Sequence, residues 1–197
     1  VEKRLIHVGA LGARKDAPSK YLRSKAKGEE FISKNGKNYH WTIIKPSIIF
    51  GEQDKFINLF SYMVKYLPII LLISPYSKFQ PIFVKDVVEI LIKSIDDRKT
   101  YNKTFNIGGP NVYSFLEIIK LIAFSQKRKI WVLPLTKKIS YFMVRCIEFL
   151  PFKIITRDNL ASMSIDNVTK NNDSYIFKSK LKTLYSYLSD KYSKSDL

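Results

Sequence analysis

Two short apolar runs, residues 5–11 (Leu-Ile-His-Val-Gly-Ala-Leu) and 41–50 (Trp-Thr-Ile-Ile-Lys-Pro-Ser-Ile-Ile-Phe), bracket a single stretch of helical character. Each is too short for a buried helix and has the near-continuous hydrophobicity of a strand covered on both faces, which is the mark of a parallel sheet. Between them, Pro18 suits a helix start, and Asn35-Gly36 stops a helix that runs through Lys25 and Glu29. The expectation is a strand–helix–strand unit with Val8 and Ile43 on adjacent parallel strands.

Inside that helix Tyr21 and Lys25 stand four residues apart, so they stack on one face. A phenol has an ordinary pKa of about 10, and a neighbouring ammonium lowers it by favouring the phenolate. Tyr-x-x-x-Lys is therefore an acid/base pair in form. A solvated surface pair would have the same spacing. The loop Gly9-Ala10-Leu11-Gly12-Ala13 lacks the third glycine of a dinucleotide fingerprint, and no acidic residue about twenty positions on closes a second strand. It reads as the loop that ends the first strand.

Composition narrows the function classes. At 197 residues, 46% hydrophobic and 14% aromatic, the chain can bury a core. A single cysteine, Cys146, excludes an internal disulfide and a cysteine-rich metal site, and its apolar setting implies a reduced, packed thiol. His7 and His40 are too far apart to suggest ligand spacing, so no metal is expected. No stretch approaches the roughly 20 apolar residues of a membrane span. The net charge of +17 is spread along the chain and comes mostly from lysine. That argues against a nucleic-acid site and suits a diffuse attraction to anionic lipid.

Farther on, the pattern predicts a helix over 55–66, then an irregular stretch near 67–83 broken by Pro68, Pro75 and Pro81. Its densest apolar run, 67–73, reads as a buried loop and strand, with a membrane-facing or partner-facing patch as the alternative. Asp86 stands where an N-cap would precede the amphipathic pattern that follows. A strand at 104–107 turns at Gly108-Gly109-Pro110, and Ser114 and Glu117 have capping-box spacing. A strand at 129–133, a helix over 136–150 and short helices near 157–163 and 181–192 complete the chain. The expected division is 1–103, the C-terminal part of a nucleotide-binding domain with 67–83 on its substrate side, and 104–197, a small α/β to helical lobe.

The apolar strand, its glycine-containing loop and the Tyr21-x-x-x-Lys25 helix together resemble the extended and atypical short-chain dehydrogenases/reductases. The stretch Trp41 to Gly51 is similar to the strand and loop that line the nicotinamide pocket in that superfamily, and Glu52-Gln53-Asp54-Lys55-Phe56-Ile57-Asn58, Phe79-Gln80-Pro81-Ile82-Phe83-Val84-Lys85-Asp86-Val87, Phe105-Asn106-Ile107-Gly108-Gly109-Pro110, Thr156-Arg157-Asp158-Asn159-Leu160 and Asp166-Asn167-Val168 resemble, in order, the family of complex I alpha-subcomplex subunit 9. This resemblance implies an α/β fold, a partial Rossmann-type doubly wound parallel sheet whose N-terminal strands are missing, with a small, mostly helical C-terminal lobe.

The resemblance also implies NAD or NADP as cofactor, with NADP favoured, bound by Val8, Gly9, Tyr21, Lys25, Pro46, Ser47 and Ile48. Tyr21 and Lys25 would be the catalytic pair. The implied partners are a respiratory or membrane-associated complex or a separately encoded N-terminal half. The implied place is cytoplasmic, on the matrix-equivalent side, peripheral to the inner membrane. Two positions depart from the pattern. Gly9 stands where a catalytic Ser or Thr is usual, and losing such a donor costs about 3–4 kcal/mol of barrier unless Ser19 or a backbone N–H substitutes. Lys45 stands where arginine is usual and lacks its planar fork. The resulting expectation is a nucleotide-binding accessory or redox-related protein with weak or no catalysis, incomplete as it stands. The alternatives are an active reductase or epimerase, a split or decaying remnant of either, and a basic protein that binds a membrane surface or nucleic acid.

Overall fold

The computed structural model describes residues 3–135, 139, 156–178 and 180–193. All but Ile139 of the helix expected over 136–150, Cys146 included, lies outside the described residues. The chain opens with β1 (Arg4–Val8), α1 (Lys20–Asn35) and β2 (His40–Pro46). β1 and β2 pair in parallel, His7 opposite Ile43 and Val8 opposite Ile44, as the two apolar runs require. Ser19, not Pro18, opens α1: its Oγ accepts the Leu22 N–H at 3.2 Å, and Gly36 follows the last turn.

After β3 (Ile49–Phe50) and α2 (Phe56–Tyr66), the stretch expected to be irregular contains β4 (Ile69–Ile73), β5 (Lys78–Phe79) and β6 (Ile82–Phe83). These strands lie in three separate two-stranded sheets. Next come α3 (Val84–Asp96), β7 (Lys103–Ile107), β8 (Tyr113–Ser114), α4 (Phe115–Ser125), β9 (Trp131–Leu135), α5 (Arg157–Met163) and α6 (Leu184–Ser193). β3 pairs with β6 and β4 with β9, both in parallel, while β5 and β8 are antiparallel. The Ser114–Glu117 capping box is complete: the hydroxyl accepts the Glu117 N–H, and the carboxylate accepts the Ser114 N–H at 2.6 Å.

The main sheet is parallel, in the order β1-β2-β7. The third strand, β7, begins at the expected 103/104 boundary and pairs with β2 from Thr42 opposite Lys103 to Pro46 opposite Ile107. Pro46 ends β2 within the ladder. It has no N–H to give, but its carbonyl accepts from Leu11 N at 2.9 Å. Strand alternation sends Ile6, Ile44, Phe105 and Ile107 into one cluster with Val87 and Ile90 of α3. The opposite face carries His7 and Lys45 toward α1. Helices thus cover both faces.

Asp86 is not the N-cap of α3. That position is Phe83, and Asp86 lies in the first turn, buried, with its carboxylate accepting the Lys182 N–H at 2.8 Å. Burial raises the Asp86 pKa, against the bond from Lys182. A larger core gathers Phe50, Phe60, Phe79 and Phe115 with Ile118, Ile122 and Leu188. Arg4 fastens β1 to its surroundings: its guanidinium donates to the carbonyls of His40, Ser94 and Ile95 and to the hydroxyls of Thr42 and Thr100. Two of those carbonyls lie at the end of α3, where a cation also meets the negative pole of the helix.

Candidate functional site

Strands β1 and β2 end side by side, and the loops that leave them meet the first turns of α1. There a cleft of about 540 Å³ is lined by Val8, Gly9, Tyr21, Lys25, Pro46, Ser47 and Ile48 together. Its wall also includes Phe56, Phe79, Asp158, Asn159, Ser162, Met163 and Asn167. The Lys25 ammonium donates to the Val8 carbonyl at 3.0 Å and lies 6.0 Å from the centre of the Tyr21 ring. The stacking expected of an i, i+4 pair is therefore present.

The expected electrostatics are not. The Tyr21 pKa is raised, first by partial burial and then by the Glu29 carboxylate, so at neutral pH the phenol keeps its proton and can donate a hydrogen bond but cannot act as a base.

Glu29 accounts for the glycine at position 9. Its carboxylate takes the Lys45 ammonium at 2.8 Å and the Ala10 N–H at 3.2 Å, with the Lys45 and Glu29 side chains 15% and 12% exposed. A Cβ on residue 9 would lie 2.4 Å from Glu29 Oε1. Neither Ser19 nor Ser47 replaces the absent hydroxyl. Ser19 is wholly buried as the α1 cap. The Ser47 Oγ donates to Asn167 Oδ1 at 2.6 Å, and its N–H donates to the Ile107 carbonyl.

The residues that sequence reasoning gave no role are the ones that assemble the cleft. Asn167 Oδ1 also accepts the Ile48 N–H, and its Nδ2 donates to the Leu11 carbonyl at 3.1 Å. Asp158 of α5 accepts the N–H groups of Lys20 and Tyr21 at 2.6 and 3.1 Å, which neutralises the positive end of α1 and leaves no anion site there. The only signal for either was membership in the segments 156–160 and 166–168.

His7 packs on the α1 side of the sheet with its Nε2 buried and unpartnered. Burial and then the Lys25 charge lower its pKa, against Glu29. A depressed histidine is neutral in the fold and titrates sooner in the unfolded chain, so its stability contribution is present above about pH 6.5 and is lost as pH falls through the folded value. The urea midpoint is expected to fall between pH 7.5 and 5.5, and to fall less in His7→Gln. Equal slopes for the two proteins would show that His7 is not the titrating group.

Among the described residues no group of three His, Cys, Asp or Glu side chains could hold a metal ion, and no helix is long and apolar enough to cross a membrane.

Fold and cleft define the class: an α/β protein with a Rossmann-type parallel sheet and a cleft at the ends of its first two strands. The structure superposes on an NADPH-dependent quinone oxidoreductase of Escherichia coli with a TM-score of 0.75, at 9% identity, over 99% of this chain and 68% of that one. It superposes on a UDP-glucose 4-epimerase of Thermotoga maritima with a TM-score of 0.70, at 14% identity, over 98% and 64%. At these identities the likeness is one of fold.

In sequence the chain is homologous to the mitochondrial protein NADH dehydrogenase [ubiquinone] 1 alpha subcomplex subunit 9. Identity is 31% over 168 residues with the Mus musculus protein, covering 84% of this chain and 44% of that protein. With the Arabidopsis thaliana protein it is 30% over 184 residues, covering 86% and 44%. The chain thus spans less than half the length of these curated relatives. No protein-family model matches it.

Proposed function

We propose that the cleft holds the nicotinamide and ribose end of NAD(P)H, and that the chain serves as a nucleotide-binding accessory component of a respiratory NADH dehydrogenase-type complex with weak or no turnover. The supporting observation is the convergence of Tyr21, Lys25 and the 46–48 loop on one cleft whose usual hydroxyl position is closed by Glu29. The group fits the donor set. Lys25 and the Tyr21 hydroxyl can donate to ribose oxygens, and Val8, Pro46 and Ile48 offer apolar surface to a flat ring. When bound, a nicotinamide can accept or give a hydride. With Tyr21 held neutral and a glycine at position 9, this chain's residues bind and orient with little power to polarise a substrate.

In the superfamily the pyrophosphate sits on a glycine-rich turn at a helix N-terminus. No such turn opens α1, whose N-terminus is taken by Asp158. We therefore place that contact in the portion of the relatives that this chain does not span, supplied by a partner polypeptide or a preceding half. The proposed location is the matrix-equivalent, cytoplasmic side of the membrane, with NADP slightly preferred over NAD.

Calorimetry with NADH and NADPH tests the reading. The 197-residue chain is expected to bind weakly or not at all, and binding is expected to rise at least a hundredfold once the complementing half is supplied. In that complemented protein Lys25→Ala and Tyr21→Phe should each weaken binding about tenfold, the worth of one lost hydrogen bond of about 1.4 kcal/mol. Micromolar binding by the monomeric chain alone would refute the incompleteness, and an unaffected Lys25→Ala would refute the site.

A further inference from the structure

In the β4–β9 sheet Ile69 lies opposite Trp131 and Leu71 opposite Leu133. Residues paired in a ladder project to the same face. The alternate residues Ile70 and Leu72 are fully buried in the main core, so this small sheet turns one face inward. On the outward face Ile73 and Leu135 pack against Leu160 of α5, which covers only the far end. At the near end Ile69, Leu71 and Leu133 are 49%, 45% and 48% exposed, and Trp131 is 75% exposed. A cluster of this kind on a surface marks a contact.

The charge around the cluster indicates what makes that contact. Both strands begin at the same end of the sheet, β4 after the last turn of α2 with Lys65, and β9 after Lys127, Arg128 and Lys129. Arg128 donates to the Lys65 carbonyl at 2.9 Å, and Trp131 N donates to the Pro68 carbonyl at 2.8 Å, so the starts of the two strands are tied together. No acidic residue occurs between Asp54 and Asp86, nor between Glu117 and Glu148, the two stretches that contain these strands. An apolar face with a tryptophan, bordered by cations and free of carboxylates along its own strands, complements an anionic interface.

We infer that this face of the β4–β9 sheet docks on an anionic lipid surface, with Trp131, Ile69, Leu71 and Leu133 at the acyl boundary and the Lys65 and 127–129 cations at headgroup phosphates. A second copy of the chain is disfavoured as occupant, because the two like-charged borders would repel. The inference deepens the membrane-side part of the proposed function and is independent of nucleotide binding.

The chain has two tryptophans, so Trp41→Phe makes Trp131 the only indole reporter. With vesicles of phosphatidylcholine containing phosphatidylglycerol, Trp131 emission is expected to shift to the blue and the protein to float with the lipid, at least tenfold more tightly than with phosphatidylcholine alone. Leu71→Ser with Leu133→Ser should abolish both effects while leaving the melting temperature within a few degrees, because these side chains are exposed. Lys65→Glu with Lys129→Glu should weaken binding at least tenfold.

Three results would overturn the inference. One is no shift on anionic vesicles. The second is binding unchanged by the Leu71 and Leu133 substitutions, which would assign it to diffuse charge. The third is a shift that grows with protein concentration in the absence of lipid, which would assign the face to a second copy. NADH titration does not report on this face, so loss of nucleotide binding and loss of vesicle binding can be told apart.

Discussion

Gly9→Ser, which puts a hydroxyl on the loop where related enzymes carry one, is expected to lower the melting temperature by roughly 6–12 °C and to confer no carbonyl reduction. The new Cβ would lie 2.4 Å from Glu29 Oε1 and 3.2 Å from Lys45 Cγ. Glu29 cannot withdraw freely, since moving it strands the Lys45 ammonium and the Ala10 N–H it now satisfies. Separating a buried ion pair of this kind costs about 3 kcal/mol. If crowding is the cause, Glu29→Ala in the same chain will make the two losses less than additive by at least about 1 kcal/mol. Thermal melts of the two single variants and the double variant supply the cycle. A Gly9→Ser protein as stable as the parent would show that the pair yields, and the account of why position 9 is glycine would fail. On that account the ion pair excludes the hydroxyl, so the glycine is a consequence of α1 packing on β2.

A larger loss is expected from Gly109→Ala. The Cβ would fall 1.8 Å from the Pro81 carbonyl oxygen, a backbone atom that no rotamer change can move. The same turn is held on its other side, where Gly109 N donates to the Gln80 carbonyl and Gln80 Nε2 donates back to the Gly109 carbonyl at 2.9 Å. The Asn172 side chain brackets Gly108 with one bond to its N–H and one from its Nδ2 to the carbonyl. Relief therefore requires the 80–82 backbone to shift away from both β3 and the 108–109 turn, at a cost of more than about 4 kcal/mol. Urea unfolding followed by near-ultraviolet circular dichroism should show no cooperative transition for this variant. Gly28→Ala is the control: it sits inside α1 with His7 Nε2 at 3.9 Å from the added atom, and should be unchanged or stabilised by about 0.5–1 kcal/mol. Equal behaviour of the two glycine variants would rule out the steric argument.

What could be read in the sequence was local or periodic. The runs at 5–11 and 41–50 specify strands by composition alone, and the parallel pairing of β1 with β2 follows once a helix lies between them. Ser114 and Glu117 specify a helix start because both partners of the capping box lie within one turn. Asp86 misled because a carboxylate ahead of an amphipathic pattern looks the same at the N-cap and inside the first turn, and its partner, Lys182 N, lies far along the chain. The run 67–73 left a buried strand and an outward-facing patch both open, because it is apolar at every position and no alternation reveals that Ile69 and Leu71 turn outward.

The seven candidate residues could be named together because a resemblance ordered them. The groups that shape their chemistry could not. Glu29 carries no mark that separates it from the solvent-facing Glu30, whose carboxylate is held down to about 2 by hydrogen bonds from Lys34 and Lys15. Asn167 reaches Leu11 and Ser47 across more than a hundred residues, and nothing local in the sequence encodes that distance.

That reach has a kinetic consequence. Through one side chain and its own backbone, Asn167 joins the loop after β1, the loop after β2 and the segment at Lys78 and Gln80, while Asp158 in the same stretch of chain holds the first turn of α1. None of these walls can move outward without breaking bonds that the others share, so they are expected to open together. Amide exchange in the first turn of α1, in the loops after β1 and β2 and at Lys78 and Gln80 should then slow or quicken as a group, and Asn167→Ala should speed all of them at once.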